Sequence, residues 1–302
     1  MEELKDGTQV EDLRLGRLVH FDEKSREYPV RRELIRDRKL PLPRSYTWRI
    51  PAHFVIDQGR DGSCVGFSVT NELQARPAEV KFGSLLFGIP SVTEKFAKEE
   101  IYWEAQKIDP WPGGAYPGAR PFYEGTSVLA GMKIGQRLGY FQNYYWAFSL
   151  EDLVLALGRR GPAVLGLWWY RNAFTPDSRG FIKPTGRRSG GHAVLARAVR
   201  IVWKEDTVRP SSFDDVDLDK SYVTIRNSWG ASWGINGDCY VTLADMGPWL
   251  KDDGEACFAL HRTVQVEPYW PFDMPMNRSD KEQNNEEIES GPSGVQTGDP
   301  PD

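Results

Sequence analysis

Apolar residues recur at helical spacing in the first half of this 302-residue chain and gather into strand-length runs in the second. Val65, Val69 and Leu73 fall at i, i+4 and i+8, with Ser63 placed to cap and Pro77 to stop, which predicts a helix over 63–74. Ala97, Ile101, Ala105 and Ile108 form the buried stripe of a second helix over 93–108. A third begins at Thr126 or Ser127 and ends at Gly139, a residue suited to the left-handed position after a helix. Ser149 and Asp152 start a fourth in the manner of a capping box, ending by Gly158. Apolar runs then predict strands over 163–170, 192–202, 222–227 and 238–243, with a polar loop at 205–219. The cluster Trp168-Trp169-Tyr170 reads as packing between strands rather than as a ligand platform.

Three segments add chemistry to this outline. Asp57-Gln58-Gly59-Arg60-Asp61-Gly62-Ser63-Cys64 places a cysteine where a glycine-rich turn meets a helix, with a glutamine six residues upstream. Gly190-Gly191-His192-Ala193-Val194 supplies a histidine 128 residues later. Asn227-Ser228-Trp229-Gly230 supplies an asparagine 35 beyond that. Cysteine, histidine and asparagine in this order suit attack by a thiolate on an acyl carbon. A free thiol of pKa about 8.5 is mostly protonated at neutral pH, and a helix N-terminus and a neighbouring imidazolium both favour the thiolate. The same imidazole can pass the proton to a leaving amine. An asparagine can hold the ring without adding a charge, and the Gln58 amide, with the Cys64 main-chain N–H, can face a developing oxyanion.

The motif Gln58-x5-Cys64, the run His192-Ala193-Val194 and the signature Asn-Ser-Trp-Gly-x-x-Trp-Gly-x-Asn-Gly at 227–237 resemble the papain (C1-type) cysteine peptidases, in a prokaryotic or phage-like form. Leu42-Pro43 and Trp48-Arg49 resemble the start of that family's mature domain, and the likeness spans roughly 40–262. It implies an α+β, two-lobed fold: a mainly helical left lobe, an antiparallel β right lobe, and a cleft between them. It implies Cys64 as nucleophile, His192 as base and acid, Asn227 as orienter and Gln58 as oxyanion donor. It further implies that Trp229 shields the Asn–His bond and that Gly125 offers main-chain hydrogen bonds to a bound peptide. Thr126, Ser127 and Gly191 would border the pocket for the residue preceding the scissile one. Three positions depart from the family pattern. Asp61 stands where a disulfide cysteine is usual, Val65 where an aromatic is usual, and Gly191 where an acid or amide is usual. None removes a catalytic group.

Composition narrows the remaining choices. With 40% hydrophobic and 12% aromatic residues the chain can bury a substantial core. Its net charge of −5 is largely a tail effect, because 280–302 holds seven acids and one base. The near-neutral body gives no argument for nucleic acid or an anionic membrane. Cys239 and Cys257 are expected as free buried thiols. The first residues, MEELKDGTQVED, lack an apolar signal core, and no stretch reaches the roughly 18 apolar residues of a membrane span, so a cytoplasmic location is expected. Four scattered histidines form no metal motif, and no phosphate-binding glycine motif follows a strand, so neither metal nor cofactor is expected.

Domain organisation is read as an N-terminal extension over 1–39, a peptidase-like domain over 40–272 and an acidic tail over 273–302. The extension is either a short, cleft-covering pro-segment or an arm packed on the body. The expected activity is peptide-bond hydrolysis on a protein or peptide. The alternatives are an amidase or acyltransferase on a specialised substrate, and a catalytically idle binding or structural protein. Counting forward from Cys257 puts a residue near Arg262 at the far end of the specificity pocket, which would favour acidic side chains.

Overall fold

Two of the predicted helices meet through a glycine. The helix Cys64–Gln74 is buried over nearly its whole length, and a Cβ at Gly66 would lie 2.3 Å from the Ala97 carbonyl oxygen and 2.7 Å from the Tyr102 Cβ. Only a residue without a side chain lets the two backbones come this close. In the second helix Thr93 caps the first turn by accepting from the Phe96 amide. The winding then widens to a π-helix over Ala97–Trp103 before resuming as Glu104–Ile108. Ala97, Ile101 and Ala105 are buried, but Ile108 is 41% exposed. The expected stripe assumed 3.6 residues per turn; the wider π turns rotate the last position off it.

The computed structural model describes residues 2–34, 45–52, 54–75, 92–205 and 212–262; these belong to a compact unit, Met1–Gln265. Pro77, Leu42-Pro43, residues 206–211 of the polar loop and the acidic tail lie outside the described residues. The third helix runs Val128–Arg137 with Ser127 as cap, while Thr126 and Ser127 themselves are extended. The fourth runs Leu150–Arg159, capped by Ser149 as its sequence indicates.

The strands make one antiparallel sheet in the order Asp238–Thr242, Tyr222–Arg226, Arg188–Arg200, Ala163–Tyr170, Glu255–Arg262, Phe141–Ala147. Ser45–Thr47 pairs beside it on Arg188–Arg200. Phe141–Ala147, Glu255–Arg262 and the helix Leu243–Lys251, with Pro248 inside it, are additions to the sequence outline. One face of the sheet packs Leu165, Trp169 and Val194 into the larger core, where they are joined by Trp249 of the helix Leu243–Lys251. The other face meets the Cys64 helix through Val164, Ala193, Leu195 and Cys257. Trp169 is fully buried, edge-on to His192 and Trp229. Cys239 and Cys257 are buried free thiols, as expected. No helix among the described residues is long and apolar enough to cross a membrane.

The N-terminal residues do not stand apart from this body. Glu2–Glu3 pairs with Gln9–Val10, and Arg17–Leu18 pairs in parallel with Thr126–Ser127. The short helices Glu23–Arg26 and Arg31–Leu34 follow. Val30 donates to the Trp146 carbonyl and Trp146 to that of Tyr28, which stitches this stretch to the sheet edge.

Candidate active site

Cys64 opens its helix, where the first amides lack intrahelical partners. Its sulfur accepts from the Ala193 amide at 3.4 Å, and the amides of Gly16 and Val65 also face it. Ser63 occupies the cap position but makes no capping bond; its hydroxyl turns to Asp61 instead. Asp61 in turn is held by Lys98 at 2.5 Å.

The histidine strand brings His192 to the same point. Its Nε2 lies 2.8 Å from Asn227 Oδ1. That oxygen also accepts from the Ser228 amide at 2.8 Å, which fixes which end of the Asn227 side chain faces the ring. Nε2 therefore carries the proton, and the Arg14 main chain of the covering segment faces the ring as well. Trp229 lies over the imidazole with centroids 4.8 Å apart and planes at 29°, and Trp169 meets it edge-on at 4.8 Å. Two indoles thus keep water from the His–Asn bond.

Gln58 is held at both ends. Its Oε1 accepts from the Ser228 hydroxyl at 2.7 Å, and its Nε2 donates to the carbonyls of Asp61 and Arg14 at 2.8 and 3.0 Å. Gln58, Cys64, His192 and Asn227 are therefore brought together, with Trp229 and Gly191 beside them.

Gly125 requires a correction. Its N–H donates to the Tyr102 hydroxyl and its carbonyl accepts from Gln106, so its main-chain groups already have partners. The bond toward the cleft comes from the next residue: the Thr126 amide donates to the Gly16 carbonyl at 2.9 Å. Tyr102 and the Gly62 amide also converge on Glu124, at 2.6 and 3.0 Å. This buried network ties the turn before Cys64 to the strand at Thr126, and the residues that build it carry no motif.

The larger finding is what fills the cleft. Residues 12–18 run between the helical part and the sheet, directly over the four site residues. The Arg14 carbonyl takes the Gln58 amide, the Gly16 amide faces the Cys64 sulfur, and Gly16 is so close to the turn before Cys64 that a Cβ would lie 1.9 Å from the Gly62 oxygen. The Arg14 guanidinium sits 4.0 Å from the Trp229 ring centroid and pairs with Asp12 at 2.7 Å. Two buried ion pairs anchor the segment on either side, Lys5–Asp109 at 2.7 Å and Arg17–Glu255 at 2.8 Å. Cys64 and His192 are consequently fully buried.

Burial sets their charge. It pushes the Cys64 thiol up to about 11, outweighing the amides of Ala193, Gly16 and Val65. It lowers His192 to about 4, although the Asn227 bond acts in the opposite direction. Covered, the pair is a neutral thiol and a neutral imidazole. Among the described residues no group of three or more His, Cys, Asp or Glu side chains is placed to hold a metal ion.

A scan of protein-family models finds no match, and a search of curated proteins finds no significant one. Among solved structures the chain is similar to xylellain, a cysteine protease from Xylella fastidiosa, with a TM-score of 0.54 and 16% identity over 85% of this chain and 99% of that one. A weaker likeness to procathepsin B from Trypanosoma congolense has a TM-score of 0.45 and 14% identity over 82% and 87%. Bromelain from Ananas comosus follows at 0.39 and 15% over 72% and 99%. At such identities the first of these speaks for the fold and the other two add no argument. The chain has the α+β, two-lobed fold of the papain-like cysteine proteases.

Proposed function

We propose that the protein is a cysteine peptidase of the C1 type, in a prokaryotic or phage-like form, whose cleft is covered by its own N-terminal segment. The observation that carries this reading is the hydrogen bond from Gln58 to the Arg14 carbonyl beside Cys64. A main-chain carbonyl already lies where an oxyanion donor of a peptidase would receive a scissile one. Asp61 at the usual disulfide position supports the prokaryotic form.

In the reaction, Nδ1 of His192 takes the Cys64 proton and the thiolate attacks the scissile carbonyl carbon. The oxygen takes up the electron pair facing Gln58 Nε2 and the Cys64 amide. His192 then protonates the departing amine, leaving a thioester on Cys64. Water attacks that ester while His192 accepts its proton, and release of the acid regenerates the thiol. Asn227 keeps the ring in the orientation that serves both steps.

The segment does not itself meet these requirements. Gly16 presents an amide nitrogen, not a carbonyl carbon, to the sulfur. It therefore covers the site without being a substrate, and 1–39 functions as an inhibitory arm rather than as a merely packed one. The test is hydrolysis of a quenched-fluorescent peptide library by full-length protein and by a Gly16→Val variant, with Cys64→Ala as control. Cleavage that rises in Gly16→Val and vanishes without Cys64 is expected. No cleavage by either form, with Cys64 accessible to small alkylating agents, would refute the peptidase reading.

A further inference from the structure

One pocket in the cleft is filled by a side chain of the covering segment. Arg17 follows Gly16, the residue facing Cys64, and its guanidinium turns down between the strands of the sheet. Nε and Nη2 donate to Glu255 Oε1 at 3.0 and 2.8 Å, and Nη2 also reaches the Asp253 carbonyl at 2.8 Å. Arg17 and Glu255 are both buried, at 0% and 2% side-chain exposure.

The space is made by two glycines of neighbouring strands. A Cβ at Gly166 would lie 2.5 Å from Glu255 Oε1 and 2.7 Å from Arg17 Nε, and one at Gly191 would lie 2.0 Å from the Arg17 carbonyl oxygen. Gly166, Gly191, Glu255 and the Asp253 carbonyl all belong to the body. With Arg17 withdrawn, the Glu255 carboxylate loses its hydrogen-bonded cation and only the more distant Arg26 still acts on it. Even with Arg17 present, Glu255 Oε2 has no hydrogen-bond partner.

Resting on the peptidase reading, the geometry points to a substrate class: polypeptides that place an arginine side chain in this pocket, beside the residue held at Cys64. A buried acid is satisfied by a cation that also donates hydrogen bonds. The Glu255 oxygen and the Asp253 carbonyl, both taken from one edge of the guanidinium, match its planar fork better than the single point of a lysine ammonium. Glu255 is the specificity-determining residue. This replaces the expectation built on Arg262: that residue pairs with Phe141 at the other end of the same strand, whereas Glu255 pairs with Gly166 in the cleft.

Two measurements on the full-length protein test this. The first is the rate at which Cys64 is labelled by three peptidyl epoxides that differ only in an arginine, leucine or glutamate side chain at the position seated here. Labelling about tenfold or more faster with arginine than with leucine, slowest with glutamate, and levelled by Glu255→Gln, is expected. Equal rates, or a preference for leucine, overturn the pocket while leaving the peptidase reading intact. The second needs no chemistry at Cys64, so it decides the pocket even if none of the probes labels. Arg17→Ala, with Arg17→Met in reserve should the alanine variant not fold, is melted with rising n-propylguanidine or the neutral n-propylurea. A saturable rise in Tm with the guanidine alone, absent when Glu255→Gln is added, is expected. No rise, or an equal rise with the urea, overturns the proposal.

Discussion

Gly16 and Gly62 approach until a single methyl group would separate them: a Cβ on Gly16 would stand 1.9 Å from the Gly62 carbonyl oxygen. Backbone rather than side chain is what it would strike, so nothing nearby can swing aside. Gly16→Val should therefore lift residues 12–18 from the cleft while leaving the sheet and the Cys64 helix intact. Limited proteolysis with an unrelated protease is expected to cut the first 20 or so residues of the variant faster than those of the wild-type chain.

Gln58 is set by Ser228 at one end and by two carbonyls at the other. In a form with the cleft uncovered, Gln58→Ala should lower kcat by roughly 10²–10³ with little change in KM, the usual cost of losing one oxyanion donor. Ser228→Ala should give a smaller loss of the same kind, since it frees the amide to rotate without removing it. Steady-state kinetics on a peptide substrate separates the two.

The four motif residues were legible because each lies in a short stretch whose neighbours are diagnostic: Gln58-x5-Cys64, His192-Ala193-Val194, and the glycine-rich run after Asn227. The segment that covers them was not. Leu13-Arg14-Leu15-Gly16-Arg17 has no motif, and its meaning depends on contacts with Gln58, Gly62, Thr126 and Glu255, which are distant in sequence. Gly125 misled for a related reason, because Tyr102 and Gln106, from a different helix, claim its main-chain groups. The strand Phe141–Ala147 carried a usable signal in Phe141, Tyr144, Tyr145 and Trp146, residues that favour pleated, half-buried positions. The helix Leu243–Lys251 carries Gly247-Pro248 inside it, a pair that on its own marks a turn rather than a helix interior.

Trp169 is buried at the centre of the larger core and touches His192, Trp229 and Trp249 at once. Trp169→Ala should cost about 3–5 kcal/mol of stability through the cavity it leaves. Denaturant unfolding reads this loss. The more conservative Trp169→Phe should recover most of the stability.

Burial of the uncharged pair makes stability fall off on both sides of neutrality. His192 titrates near 6.5 when unfolded and about 4 when folded. Between those values only the unfolded chain binds the proton, so stability is lost as pH drops through that window. Cys64 titrates near 9.0 when unfolded and about 11 when folded. There the unfolded chain alone loses its proton, and stability falls as pH rises. Each contributes a limiting slope of about 1.4 kcal/mol per pH unit. Denaturant unfolding from pH 4 to 10 should show the acid slope reduced in His192→Ala and the alkaline slope reduced in Cys64→Ala.

The most direct test of a poised thiol under a removable cover is alkylation with limiting iodoacetamide from pH 4 to 9, the modified cysteine located by peptide mapping. In the wild-type chain Cys64 should react slowly, as a buried neutral thiol does. In Gly16→Val it should react selectively over Cys239 and Cys257, with an apparent pKa well below 8.5 that is lost when His192→Ala is added. Slow labelling spread over all three cysteines in Gly16→Val, with its N-terminal segment shown by proteolysis to be released, would contradict the account.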